Sequence, residues 1–509
     1  MIETPHRKIP QTMGTQHPDN ANAPYWETDG DGYVSIHEEV RECASSFQDL
    51  GCEEYMWDWE GKYVDEGVIE KLLTEYHAFF SKHHIGRDRF LTFRIPNIWE
   101  EKGRSLARAF MNILTAEEFA RDLGLHTPPL FEMILPMADD AKKMIYLQKT
   151  FTELAKMKHK LFKESHRDFH YVQMIPLIEG VHSMETVNTL LDRYVAEHKK
   201  QYKRKPEYMR VFLARSDPAL ISGVVPAVLA NRMALSELYQ WSARQGIPVY
   251  PWLGAGSLPF RGHLRPDRVK EFLQTYPGVR SVTIQSAFRY DFPLATVKRG
   301  IHELNTKLST TDPVIISPKE FAILKRVNIA FERTYQETIG TIADTIIDVA
   351  AAVPSRRERR LHIGLLGYGR TVGKNKKKFP RAITFTAALY SLGIPPEMIG
   401  TGRALQSLSA QELATLEKHY PTFAYDLSAA AQYVNKENLA FLIQKESVWR
   451  AIAEDIAMIE TYIGKPVGPT TPESYIHRNW TSTLFFQKRK PAQMTTAIIE
   501  SAKIRCSLG

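Results

Sequence analysis

Two acids leave the carboxyl ends of two successive apolar runs: Glu179 closes Val172-Gln-Met-Ile-Pro-Leu-Ile-Glu179, and Asp217 closes Met209-Arg-Val-Phe-Leu-Ala-Arg-Ser-Asp217. Neighbouring parallel strands lie roughly 4.8 Å apart. Carboxylates on two such strand ends can share one hard divalent cation, Mg²⁺ or Mn²⁺, and still leave positions for substrate and water. Each acid could instead cap the helix that follows its strand; it is their pairing on successive strands that brings the metal reading level with this one.

Other groups of chemical interest fall at the same ends of such runs. His17, in Thr15-Gln-His-Pro-Asp-Asn20, follows the first run, where a neutral imidazole can take a proton near neutral pH, although a histidine before proline also serves as a simple turn residue. Gly254-Ala-Gly-Ser-Leu-Pro-Phe-Arg-Gly262 follows the seventh, a position where barrels bind phosphate through backbone N–H groups, and Arg261 adds a fork for phosphate or carboxylate. Arg289, after Thr283-Ile-Gln-Ser-Ala-Phe, serves the same face or sits on the surface. Arg370 and Arg381 border a glycine-rich basic segment, Gly367 to Arg381, which reads as a lid over an anion or as a solvated loop; Lys374, Lys376, Lys377 and Lys378 read as solvated charge.

The elements that must position these groups are legible as a repeat. Apolar or β-rich runs occur at Thr12 to Gln16, Glu54 to Trp57, Arg89 to Ile95, Leu130 to Pro136, Tyr171 to Ile178, Met209 to Ala214, Pro248 to Leu253 and Ser281 to Gln285. Amphipathic helical stretches separate most of them, such as Ile36 to Leu50, Val68 to Phe80, Ser105 to Leu123 and Leu220 to Gln245. Eight strand-then-helix units predict an α/β fold, a (β/α)₈ barrel over residues 1–312, with several strands continuous in apolar character because both faces are buried. After Pro313 the pattern turns mainly helical, giving a region 313–509 with helices at Pro318 to Val349, Ala382 to Leu392 and Leu439 to Ile463 and a short strand at Arg359 to Leu366. The two regions are expected to form one integrated unit, with the Arg370/Arg381 segment reaching the barrel's site.

Composition narrows the class. Of 509 residues, 43% are hydrophobic and 24% charged, as in a folded water-soluble chain. No apolar stretch reaches the ~18 residues that would span a bilayer, and the N-terminus lacks a signal-peptide core. Cys43, Cys52 and Cys506 are an odd set without zinc-site spacing, which predicts free thiols and a cytoplasmic setting. Lys and Arg number 66 against 58 Asp and Glu, a formal +8 that suits small anionic substrates as well as nucleic acid. The aromatics fall mostly inside apolar runs, so a nucleic-acid or scaffold role is disfavoured.

Several segments together resemble the phosphoenolpyruvate carboxylase family in its short, archaeal-type form: Thr15-Gln-His-Pro-Asp-Asn20, Met56-Trp-Asp-Trp-Glu-Gly-Lys62, Phe212-Leu-Ala-Arg-Ser-Asp-Pro-Ala-Leu220, Gly256-Ser-Leu-Pro-Phe-Arg-Gly-His-Leu264, Thr283-Ile-Gln-Ser-Ala-Phe-Arg-Tyr-Asp291 and Pro380-Arg-Ala-Ile-Thr-Phe-Thr-Ala-Ala-Leu389. The resemblance implies carboxylation of phosphoenolpyruvate by bicarbonate to oxaloacetate and phosphate, through carboxyphosphate and a metal-stabilised enolate, in a homotetramer. It implies Glu179 and Asp217 as holders of Mg²⁺ or Mn²⁺, His17 as the group that helps decompose carboxyphosphate, and Arg261, Arg370 and Arg381 facing phosphate or carboxyphosphate. Arg215, Gly256, Gln285 and Arg289 are further candidate substrate contacts.

The long form of that family carries a lysine where this chain has Leu220, and a histidine and an arginine where it has Leu253 and Ala255. The short form departs in the same way, so Arg215 or Arg289 are candidates to supply the missing charge. A second reading keeps barrel and metal but makes the chain an enolate lyase of the malyl- or citryl-CoA type, which needs no phosphate-directed arginines.

Overall fold

The computed structural model describes residues 7–27, 30–60, 62–100, 103–125, 128–162, 171–358, 371–372, 377–486 and 491–509. Eight parallel strands close into a barrel in sequence order: β1 (Thr12–Thr15), β2 (Glu54–Asp58), β3 (Phe90–Arg94), β4 (Glu132–Leu135), β5 (Gln173–Ile178), β6 (Met209–Ala214), β7 (Val249–Gly254) and β8 (Ser281–Ile284), with β8 pairing back onto β1. Each lies within one of the runs anticipated above or extends it by a single residue. The short strand anticipated at Arg359 to Leu366 lies outside the described residues.

The two-residue period of a strand sorts the inward side chains into layers. The middle layer is apolar: Met13, Met56, Ile134, Ile175, Leu177, Phe212 and Trp252 form a cluster of their own inside the barrel, with the Phe212 and Trp252 rings stacked at 4.2 Å. Two residues earlier along the strands lies an ionic layer. Arg210, from β6, donates to Glu54 of β2 (2.5 Å) and Glu132 of β4 (2.6 Å), all three fully buried, while Thr92 and Tyr208 donate to the same carboxylates. Two residues after Met56 and Leu177 come Asp58 and Glu179, with Arg94 beside Asp58, so the apolar layer separates a structural charge cluster from the one at the mouth.

A second, much larger apolar cluster fills the space between strands and helices and runs from Ala21 to Leu508 with no division near residue 312. Some anticipated helices are split where the backbone demands it. The stretch Leu220 to Gln245 belongs to two helices, Ser216–Ser222 and Val224–Gln245, because Gly223 sits at φ +91°, where a β-carbon would come within 3.1 Å of the Tyr335 ring. Pro318 to Val349 is likewise two helices, Pro318–Ile339 and Ala343–Ala350, parted at Gly340, a residue that costs a helix about 1 kcal/mol against alanine. Leu439 to Ile463 is interrupted at Glu446, which takes an extended conformation before the helix Arg450–Ile463. Ser317 and Glu320 form the capping box that starts the first of these long helices where expected.

The ionic layer makes a stability prediction. Burial raises the Glu54 carboxyl above its usual range, and Arg210 is what offsets that. Arg210→Ala leaves two buried acids without their cation, a change that costs roughly 3–5 kcal/mol; denaturant melts of the variant are expected to show that loss, and a midpoint equal to wild type would contradict the role given to the cluster.

Candidate active site

At the carboxyl ends of the strands lies an open-mouthed cavity of about 780 Å³, solvent at its mouth included. Its lining brings together His17, Glu179, Asp217, Arg261, Gln285 and Arg381, residues spread over most of the chain. Glu179, just past β5, and Asp217, in the first turn of the helix Ser216–Ser222 that follows β6, therefore face one space; the pairing of Ile178 with Leu213 fixes that neighbourhood, and Met137 N–H donates to Glu179 Oε2 at 3.0 Å. His17 is tethered through Nδ1 to Thr15 Oγ1 at 2.9 Å. Arg381 stands just before the helix Ala382–Ser391, whose first turn also lines the cavity, so the positive end of that helix adds to the guanidinium.

Four further polar residues of the lining were not singled out by sequence: Gln16, Asp58, Glu60 and Arg94. Asp58 ends β2 and Arg94 ends β3, and the strand register sets them side by side. Arg94 grips Asp58 with two hydrogen bonds, Nε–H to Oδ1 at 2.9 Å and Nη2–H to Oδ2 at 2.6 Å, and pairs with Glu60 at 3.2 Å. These acids, with Glu179 nearby, hold the Arg94 guanidinium above its usual basicity. The signal that flags Glu179 and Asp217, a charge closing an apolar run, is present at Asp58 and Arg94 too.

Arg261 is buried and almost fully engaged by the protein. Its Nε–H donates to Ser216 Oγ (3.1 Å), its Nη1–H groups to Asp19 Oδ2 (2.9 Å) and the Gly509 oxygen (2.5 Å), and its Nη2–H to Gln285 Oε1 (2.6 Å). Of the five N–H groups of a guanidinium, one is left without an acceptor among the described residues. Asp19, fully buried, is the counter-ion, and sequence reading passed over it although it stands only two residues after His17.

The remaining candidate contacts are employed elsewhere. Arg215 touches the cavity, but its guanidinium holds the turn that carries Arg261, donating to Phe260 O, Pro259 O and the Tyr276 hydroxyl. Gly256 spends its N–H on Arg261 O, and a β-carbon there would come within 2.9 Å of the Arg261 guanidinium carbon, so its part is to let that side chain fold back over the turn. Arg289, read as serving the same face or sitting on the surface, does neither: it is buried, bonded to Ser46 Oγ, Thr15 O and Glu42, the last a buried carboxylate that also pairs with Arg357. Arg370 lies outside the described residues. Among the described residues no group of three or more His, Cys, Asp and Glu side chains is gathered around a metal position; two carboxylates are a sparse donor set, of the kind a hard divalent cation supplements with water and substrate oxygens.

A family model described as phosphoenolpyruvate carboxylase matches residues 9–509. The chain belongs to the phosphoenolpyruvate carboxylase family. Relatives of that name are 41% identical over 99% of this chain and 99% of theirs in Leuconostoc mesenteroides, 40% over 99% and 99% in Oenococcus oeni, and 35% over 99% and 100% in Metallosphaera sedula. A malate synthase structure from Haloferax volcanii aligns over 84% of this chain and 98% of its own with 12% identity and a TM-score of 0.38, too distant to bear on function.

Within this carboxylase family the positions of the long form's extra cations are apolar here and buried: Leu220, Leu253 and Ala255. Neither Arg215 nor Arg289 turns its guanidinium to the cavity to replace them; Arg94 is the arginine that comes from another strand. The turn bearing Arg261 is held from its far side by the helical region, where Glu397 accepts Phe260 N–H at 2.7 Å and the Tyr390 hydroxyl at 2.8 Å, and Asp426 takes His263 Nδ1 at 2.5 Å.

Burial pushes the Glu397 carboxyl from its ordinary 4.5 up to about 7. An acid whose folded pKa is raised binds its proton more tightly in the folded state, so stability present below pH 4.5 is lost as pH climbs toward 7. Glu397→Gln keeps the acceptor for Phe260 N–H and removes the titration. Its melting temperature is expected to gain on wild type between pH 5 and pH 8; a difference that stays constant over that range would contradict the assignment.

Proposed function

We propose that this chain carboxylates phosphoenolpyruvate with bicarbonate, giving oxaloacetate and phosphate. The observation that carries the reading is the single cavity lined by His17, Glu179, Asp217, Arg261 and Arg381, in a chain matched to the family over residues 9–509. Two anions must meet there, and they repel one another until cations neutralise them. Arg381 with the helix end behind it and the remaining N–H of Arg261 are suited to that task, and Arg370 joins them in this proposal.

The reaction runs in balanced steps. A bicarbonate oxygen attacks phosphorus as the bond from phosphorus to the enol oxygen breaks, leaving carboxyphosphate and the enolate of pyruvate. His17 takes the carboxyl proton of carboxyphosphate, whose carbon–oxygen bond to phosphate then breaks to release CO₂. The enolate carbon bonds to CO₂, and the proton leaves with phosphate. A divalent cation, Mg²⁺ or Mn²⁺, held by Glu179 and Asp217 would supply positive charge beside the enolate oxygen. Closure of the cavity by the 367–381 segment would keep water from both reactive species. The phosphate-directed arginines favour this over an acyl-CoA lyase, which has no phosphoryl group to transfer.

To the same proposal belong a homotetramer, a cytoplasmic setting and a barrel unit 1–312 joined to a helical unit 313–509. The three cysteines are all free thiols, and no helix among the described residues is long and apolar enough to cross a membrane.

The assay follows both products with Mg²⁺ present. Wild type should form oxaloacetate and phosphate together and only with bicarbonate. Asp217→Asn should lose turnover by about 100-fold or more, whereas His17→Ala should still release phosphate yet make little oxaloacetate. Phosphate released equally well without bicarbonate would turn the reading into a phosphatase.

A further inference from the structure

Two glutamines of the lining follow neighbouring strands, Gln16 just after β1 and Gln285 just after β8, and share the cavity with His17. Both are almost fully buried. In each the orientation of the amide is forced. Asp58 N–H, which can only donate, points at Gln16 Oε1 from 3.0 Å, and the Arg261 guanidinium, also donor only, points at Gln285 Oε1 from 2.6 Å. Flipping either amide would set donor against donor. Both Nε2 groups are therefore turned away from those partners. Among the described residues Gln16 Nε2 is buried without a hydrogen-bond acceptor, and the side-chain hydrogen bond seen there for Gln285 is the one its Oε1 accepts.

A buried amide donor without an acceptor costs about 1–3 kcal/mol, a cost that a ligand oxygen removes. These donors are also uncharged, in a cavity otherwise furnished with arginines and acids. Guanidinium groups and a dication suit the multiply charged phosphoenolpyruvate. An uncharged NH₂ pair suits a smaller, singly charged oxyanion that must give up its charge and leave as CO₂, since nothing in the pair would hold it by ionic attraction.

We propose that Gln16 and Gln285 form the cradle for bicarbonate, each donating an Nε2–H to one of its oxygens and presenting its carboxyl proton toward His17. The inference rests on the carboxylase reading above and names where the second substrate of that reaction binds. Asp58 and Arg261 act through the glutamines: the backbone of one and the side chain of the other fix which end of each amide faces the substrate.

The test measures KM for bicarbonate and for phosphoenolpyruvate separately, in bicarbonate-depleted buffer with Mg²⁺, on wild type, Gln16→Met, Gln16→Glu and Gln285→Met. Gln16→Glu keeps the acceptor for Asp58 N–H and exchanges the donor for a charged acceptor, so it separates the cradle from simple support of the turn. Losing one neutral hydrogen bond in a buried site is worth about tenfold. The KM for bicarbonate should therefore rise about tenfold or more in all three variants, and by more than the KM for phosphoenolpyruvate in each, with the melting temperature kept in Gln16→Glu. An unchanged bicarbonate KM in the Gln16 variants, or an equal rise for both substrates, would overturn the cradle while leaving the carboxylase reading intact. A wild-type protein that makes no oxaloacetate would instead remove that reading, and the cradle with it.

Discussion

Charge pairing at the barrel mouth is the constraint on which the rest depends. Four acids (Asp58, Glu60, Glu179 and Asp217) and four arginines (Arg94, Arg215, Arg261 and Arg381) line one opening, where isolated charges would be expensive. The protein ties several of them itself. Arg94 goes to Asp58 and Glu60, Arg261 to Asp19, and Arg215 to backbone oxygens of the turn beside it. What a substrate meets is set by this division: one N–H of a buried guanidinium, the Arg381 side chain with its helix end, a histidine, and two acids just beyond the ends of adjacent strands.

The barrel makes the arrangement possible because each strand delivers a side chain every second residue. β2 contributes Glu54, Met56 and Asp58 in turn, one to each layer. The apolar middle layer, with its stacked Phe212 and Trp252 rings, keeps the Arg210 cluster apart from the mouth. The helical region then reaches back over the top. Glu397 and Asp426 grip the Leu258–His263 turn, and the first turn of the helix Ala382–Ser391 closes one wall of the cavity. Fold and site are thus one structure, consistent with an apolar cluster that extends across both regions.

Much of this was legible in the sequence because burial on both faces makes parallel strands apolar throughout, and a charge closing such a run stands out. That is why Glu179, Asp217 and the eight strands could be located, and why His17 and Arg261 could be placed at the same end. Helix lengths were overestimated where one residue breaks an otherwise periodic pattern, as at Gly223 and Gly340. Contacts set by register or by distant chain were invisible. Nothing in the sequence says that Asp58 lies opposite Arg94, that Asp19 neutralises Arg261, or that Glu42 draws Arg289 away from the cavity. The Gln16 amide gains its meaning only from Asp58 N–H, forty-two positions along the chain.

The most direct measurement is the binding of Mn²⁺ to the purified protein, followed by electron paramagnetic resonance and calorimetry, in wild type and in the Glu179→Gln and Asp217→Asn variants. One site per chain that weakens sharply in both variants, while their melting temperatures hold, is the expected result. Equal Mn²⁺ affinity in all three proteins would mean that these two acids do not share a cation, and the chemistry assigned to the barrel mouth would fall.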